Sequence, residues 1–572
     1  MIYSANLDFS PLIKRTRLTS LILIKSQMPV LDEKESYGAV CCFTAINAVN
    51  LGQRDGITWG GKKISAASLA FNRILQQAVQ GFDVTSLDKS SPARAAVPAG
   101  SGALFFIQIF STLGFAVLYS TLVLYATKRL GFSENSANAI MGVFGAFNYG
   151  LHMFGGYLGG RYLSNRNLFV LGMVLQVVGC ALIAVAGVSG LYWGLAMFLT
   201  GSGLNVTCLN MMLTQRFAPD DDRRESAFLW NYAGMNLGFF IGFTVAGYFQ
   251  LSENYRALFL FATLGNALAI AVTISRWKIL KDINTPLKQM SKKQFSQRML
   301  IGIAILLLLV PIIRVLLTHA AFSSYFVVSL GLVIFMIMGI VTARHRPQDE
   351  KGRMLAYLLL AAGSLVFWTL YQLAPMGLML FAEHNINLDV YGLRVAPQWI
   401  QNINTVVIVV GGPLMALWFK RLRQRGWRID VPLQFAGALF CIGAGMLVLP
   451  VGISLAGGDG LMAFKWIVIS YVLQSLGELM ISPIGYAMIG KLAPARYQGV
   501  MMGCWMMVTG VASVLASYVS GLMPANSGST PSLTNPGYSE VFNALGWGSV
   551  ATGVALVILI PFLRRLIQRV PA

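Results

Sequence analysis

From Ala103 onward, apolar segments of about 20 residues recur along the chain, the length a helix needs to cross a hydrocarbon core. About fourteen can be counted. With soft boundaries they run over 103–127, 137–160, 168–190, 191–213, 228–250, 256–276, 299–318, 322–343, 354–376, 399–419, 431–453, 464–490, 498–522 and 541–563. A chain of 572 residues that is 56% hydrophobic and only 11% charged is not a string of soluble domains. Backbone polar groups in lipid must be satisfied within each segment, so the expected fold class is an all-α polytopic membrane protein.

The basic residues give the expected orientation. Arg161 and Arg166, Arg216, Arg223 and Arg224, and the run from Lys278 to Arg298 all follow even-numbered segments. So do Arg344 to Arg353, Lys420 to Arg428, Lys491 and Arg496, and Arg564 to Arg569, whereas the odd-numbered loops carry few cations. Lys and Arg accumulate in cytoplasmic loops, so both termini are expected in the cytoplasm. The same bias explains 43 Lys+Arg against 22 Asp+Glu, a net charge of +21, and removes nucleic acid as a partner. The six cysteines, Cys41, Cys42, Cys180, Cys208, Cys441 and Cys504, show no metal-ligand spacing, so neither a disulfide framework nor a metal site nor any cofactor is expected.

The segments group as six, two and six, with long basic linkers at 277–298 and 344–353. Two six-helix halves around a midplane site is the major facilitator arrangement, here with a two-helix insertion. The expected domains are a cytoplasmic N-terminal extension at 1–100 with no run long enough to span, an N-terminal bundle at 101–277, a linker and accessory pair at 278–352, and a C-terminal bundle at 353–572.

Within the twelfth segment stands Glu478, a carboxylate that is costly in lipid unless it faces a partner or water. Ser482-Pro483 follows four residues later and is expected to interrupt the helix, with Gly485 allowing close backbone approach. A structural acid bonded to a neighbouring helix is the alternative to a binding group.

The stretch around Glu478 is similar to the signature of the proton-dependent oligopeptide transporter family. Gly477-Glu478, Ser482-Pro483-Ile484-Gly485, Lys491-Leu492-Ala493-Pro494 and Met501-Met502-Gly503-Cys504-Trp505 stand in one reading frame. A second block resembles the same family at 201–204, 221–228 and Met235-Asn236-Leu237-Gly238, and a third at Phe367-Trp368, 380–385 and 399–404. The resemblance covers about 103–563 and implies a peptide transporter of the bacterial inner membrane, working as a monomer with a small-molecule or peptide substrate, protons and the lipid bilayer as partners.

It also implies residue roles. Glu478 matches the acid that receives a peptide's amino terminus, and Tyr149, Asn236 and Trp505 match pocket positions. Gln108, Ser111 and Thr112 stand where family members carry the E-x-x-E-R charges. Val206 and Thr207 replace a lysine and a proline, Gln372 an acid, and Gly160 an aspartate, although Arg161 remains. The pocket therefore has a receiver for a cation and no identified receiver for a carboxylate. Gln108, Asn205, Gln372 and Gln401 are substrate-contact candidates, as is Asn404, with interhelical hydrogen bonding as the alternative for each.

His152 shares a helix face with Tyr149 and is, with Glu478, a proton-coupling candidate; a neutral histidine bonded between helices is the alternative. Arg314 is expected to snorkel or to pair within the accessory hairpin. The run Asp220–Glu225 reads as a solvated loop, with a gate latch as the alternative. The leading functional expectation is a secondary transporter of small peptides or related amine-bearing solutes, not an enzyme, since no paired acids, metal cluster or nucleophile with its base lies in the spans. A non-transporting receptor or scaffold, or an amine transporter without the usual proton coupling, remains open.

Overall fold

The structure, a computed structural model, describes residues 98–567 except 219, 220, 222, 284, 495 and 526–528. The extension through residue 97, with Cys41 and Cys42, lies outside the described residues, as do Asp220, Asp222 and Arg569. Among the described residues the chain forms fourteen long helices, as the recurrence of apolar segments requires. The first six are α1 (Ser101–Leu124), α2 (Glu134–Leu158), α3 (Asn165–Val185), α4 (Gly187–Thr214), α5 (Arg223–Leu251) and α6 (Tyr255–Ser275). An accessory pair follows, α7 (Lys292–Thr318) and α8 (Ala320–Arg344). The second set is α9 (Gln348–Tyr371), a short α10 (Gly377–Asn385), α11 (Pro397–Gln424), α12 (Val431–Ser454), α13 (Phe464–Leu492), α14 (Gln498–Gly521) and α15 (Pro531–Ile567).

Twelve of these helices are long and apolar enough to cross a membrane. The other two, α2 and α5, are diluted by polar residues inside the bundle, among them Asn138, Asn148 and His152 on α2 and Asn231 and Asn236 on α5. Short polar residues start several helices by accepting a backbone N–H that has no intrahelical partner. Ser133 does so for α2, Ser164 for α3, Asn254 for α6 and Asp430 for α12. Ser291 and Gln294 form a reciprocal capping box at α7.

Two boundaries differ from expectation. Pro483 does not end α13, which runs unbroken to Leu492. The ninth segment, expected to 376, stops at Tyr371, with Gln372 as its C-cap and a turn before α10.

Small residues let the helices approach closely, which is how helices associate where lipid offers no hydrophobic drive. A Cβ on Gly179 would sit 2.5 Å from the carbonyl oxygen of Gly194, so α3 and α4 touch backbone to backbone; Gly443 and Gly546 do the same for α12 and α15 at 3.0 Å. The two sets meet along α2 with α14 and α5 with α11. Ser517 lies 2.7 Å from where a Cβ on Gly142 would be, and Trp399 fills the space beside Gly247. In the accessory pair, α7 packs on α4, and α8 on α14, α2 and α9. Arg314 finds its partner outside the hairpin, over the Trp193 ring of α4 at 4.7 Å.

Candidate functional site

Glu478 is only 9% exposed, and its carboxylate is held by neutral donors. Asn404 on α11 donates to Oε2 at 2.7 Å, and the Tyr371 hydroxyl, in the last turn of α9, faces the same carboxylate. The Asn404 nitrogen also reaches Ser475 Oγ at 3.0 Å, one turn before Glu478, and that hydroxyl donates to the Tyr471 carbonyl at 2.6 Å. The amide is therefore fixed from two sides. Among the described residues no Lys, Arg or His pairs with Glu478. A buried anion satisfied by dipoles alone is a ready acceptor for a ligand's cation.

Because α9 ends at Tyr371, its cap residue Gln372 turns toward the other bundle. The Tyr119 hydroxyl of α1 donates to Gln372 Oε1 at 3.0 Å, and Gln372 Nε2 donates to the Tyr149 hydroxyl of α2 at 3.3 Å. Tyr371 and Gln372 are neighbours in sequence, so one short segment ties Glu478 in the second set to two tyrosines of the first. The Tyr149 ring stands edge-on to His152 at 5.8 Å between centroids, and His152 Nε2 has no partner among the described residues. Gln401, one turn before Asn404 on the same face of α11, is 4% exposed and likewise leaves its Nε2 without a partner there. The structure thus brings Glu478, Gln372, Tyr149 and His152 into one neighbourhood with Asn404.

A separate neutral cluster lies nearer the start of α1. Gln108 Nε2 donates to Thr112 at 2.9 Å and its Oε1 accepts from Asn231 of α5 at 3.1 Å, while the Ser111 hydroxyl turns back to the Gln108 carbonyl at 3.2 Å. Gln108 and Tyr119 are roughly 16 Å apart along the helix axis, so this cluster is distinct from the one at Glu478. Asn236 bonds its own helix through the Tyr232 carbonyl at 2.9 Å.

Two candidates are placed elsewhere. Asn205 turns toward α3, where its amide fits the Phe169 carbonyl at 3.2 Å and Gln176 Nε2 at 2.7 Å, along with the Gly201 carbonyl of its own helix at 3.2 Å, so it binds α3 to α4 instead of joining the cluster. Trp505 is 2% exposed, covering Gly485 of α13 and facing Phe435 of α12 at 6.1 Å. Its indole fills the notch that a side chain at 485 would occupy. At the start of α5, Arg223 pairs with Asp221 at 2.7 Å.

Sequence reasoning passed over Tyr119, Tyr371 and Asn231. The signal for Tyr371 was its place beside Gln372; Tyr119 offered none, since a tyrosine among leucines reads as core.

At the end of the bundle where α1 meets α2, polar ties join the two sets. Lys128 pairs with Glu383 of α10. Trp399 Nε1 donates to the Thr244 carbonyl at 2.9 Å, Asn402 to the Thr244 hydroxyl at 3.0 Å, and Gln398 to Gln250 at 3.1 Å. These contacts close that end between the last turns of α5 and the first turns of α11.

Known proteins resemble this chain over most of its length. The dipeptide and tripeptide permease A of Cronobacter turicensis is 31% identical over 479 residues, covering 81% of this chain and 93% of the permease. The permease of the same name from Escherichia coli K12 is 29% identical over 477 residues, with 81% and 92% covered. The crystal structure of peptide transporter POT in complex with sulfate superposes with a TM-score of 0.72 at 27% identity, covering 83% of this chain and 97% of that one. The model of the POT family, PTR2, matches residues 166–536, and with the two-bundle fold this establishes that the chain belongs to the POT family of membrane transporters.

Proposed function

We propose that the protein moves small peptides or related amine-bearing solutes across the bilayer by alternating access, with Glu478 receiving the ammonium group. The observation that carries this reading is the buried carboxylate held by Asn404 and faced by Tyr371, with no cationic partner among the described residues. An ammonium group supplies the missing countercharge at a site reached from both helix sets. Gln372, bonded to Tyr119 and Tyr149, is the contact that must be remade as the halves rock about the substrate.

Glu478 is also the group for proton exchange, because a proton and an ammonium compete for the same carboxylate; His152 is the second candidate. The halves are residues 101–277 and 353–572, flanking the linker and accessory pair at 278–352. The positive-inside bias supports cytoplasmic termini in a bacterial inner membrane. Gln401 adds a hydrogen-bonding group one turn from Asn404, and among the described residues no cation pairs with this site.

Counterflow tests transport as such. Proteoliposomes loaded with unlabelled dialanine are expected to accumulate labelled dialanine transiently; a receptor or scaffold that moves no solute gives no accumulation.

A further inference from the structure

We propose that the cleft between the end of α8 and the start of α14 binds the phosphate of an anionic lipid headgroup. It is an open cleft of about 430 Å³ lined by Ile340, Tyr497, Arg344, His345 and Arg346. Ile340 belongs to the last turns of an apolar helix that keeps most of its span exposed, with Phe322, Leu332, Met336 and Ile337 all more than half exposed. Acyl chains against that face place a headgroup at the helix end.

The charge balance selects an anion. The nearby acids are already engaged: Glu350 with His345 Nε2 at 2.6 Å and Asp349 with Arg353 at 3.3 Å. Lys351 is turned away, donating to the Ala343 carbonyl at 2.9 Å, where it caps the end of α8. Among the described residues neither Arg344 nor Arg346 forms an ion pair, and both are exposed. The ring of Tyr497 is fixed between the His345 ring at 5.7 Å and the Arg496 guanidinium at 5.6 Å. Two guanidiniums without ion pairs among the described residues, beside the exposed apolar face of a helix end, match a phosphodiester with acyl chains, since guanidinium forks pair with phosphate oxygens and basic pockets between spanning helices take lipid headgroups. α8 also packs on α14 and α2, which meet across the two sets, so an occupied cleft braces that seam.

The test is lipid binding by the full chain, read by native mass spectrometry during titration with phosphatidylglycerol, phosphatidylcholine or soluble glycerol 3-phosphate. Phosphatidylglycerol is expected to bind best, with affinity falling roughly 30-fold in Arg344→Ala/Arg346→Ala. Arg421→Ala/Arg425→Ala, which removes the same charge at the end of α11, is expected to change it less than about threefold. Arg344→Lys/Arg346→Lys retains charge without the fork and is expected to fall between; it stands in if the alanine variant misfolds. Equal binding by wild type and the variants at 344 and 346, or equal binding of phosphatidylcholine, overturns the proposal. Glycerol 3-phosphate binding as tightly as phosphatidylglycerol assigns the cleft to free phosphate and overturns the lipid as occupant.

Discussion

Asn404 holds Oε2 of Glu478 at 2.7 Å while its nitrogen also contacts Ser475 Oγ at 3.0 Å, so the orientation of the one carboxylate at the site is set by a neutral amide from another helix. The pairing satisfies the anion without neutralising it. A substrate cation then adds to the carboxylate's existing bonds and need not displace a resident lysine or arginine.

Removing that amide should therefore be felt in stability as well as binding. Asn404→Ala strips a donor from a buried charged group, and a loss of about 1–3 kcal/mol is expected. Thermal unfolding in detergent, with Asn402→Ala as the neighbouring comparison, measures it.

Gln372 links Tyr119 and Tyr149 across the two helix sets. In a double-mutant cycle, Gln372→Ala and Tyr119→Phe should couple by about 0.5–1.5 kcal/mol, the net value of one hydrogen bond. The sum of the single effects equalling the double effect shows that the bridge contributes nothing.

The pair Lys128–Glu383 joins α10 to the turn after α1, with side chains 29% and 11% exposed. Exposure limits its value to about 0–1 kcal/mol. Lys128→Met is therefore expected to leave thermal stability nearly unchanged while raising the reactivity of cysteines introduced at this end of the bundle.

Asp282, in the linker between α6 and α7, accepts from the Asn165 backbone at 2.9 Å and from its side-chain amide at 3.2 Å. Burial pushes its carboxyl above the ordinary range against those hydrogen bonds. An acid whose folded value is raised binds more protons folded than unfolded, so this group's contribution to stability falls as pH rises from the ordinary carboxylate value through the raised one. Asp282→Asn keeps an acceptor for the Asn165 N–H and should flatten that fall; thermal unfolding across acidic pH reads the difference.

The membrane fold was legible because span length and loop charge are set by the bilayer and survive in any sequence that crosses it. Glu478 was legible for the same reason, an acid in an oily run needing a cause. Other features depended on which way a side chain turns at its helix, and periodicity does not record that. Asn205 and Tyr149 are both polar residues inside spans, yet one seals α3 to α4 and the other meets Gln372. The Pro483 that was expected to break α13 is accommodated within it, and Gly485 beside it takes the Trp505 ring. Tyr371 entered the site because α9 ends at it, a boundary that the apolar stretch continuing to Met376 conceals.

The central claim is that Glu478 receives an ammonium group, and paired ligands test it most directly. Binding of dialanine and of N-acetyl-dialanine is measured by calorimetry on wild type and Glu478→Gln. Dialanine is expected to bind wild type at least about tenfold more tightly than the acetylated peptide, with the difference lost in the variant. Equal affinity of the two peptides for wild type, or an undiminished preference in Glu478→Gln, contradicts it.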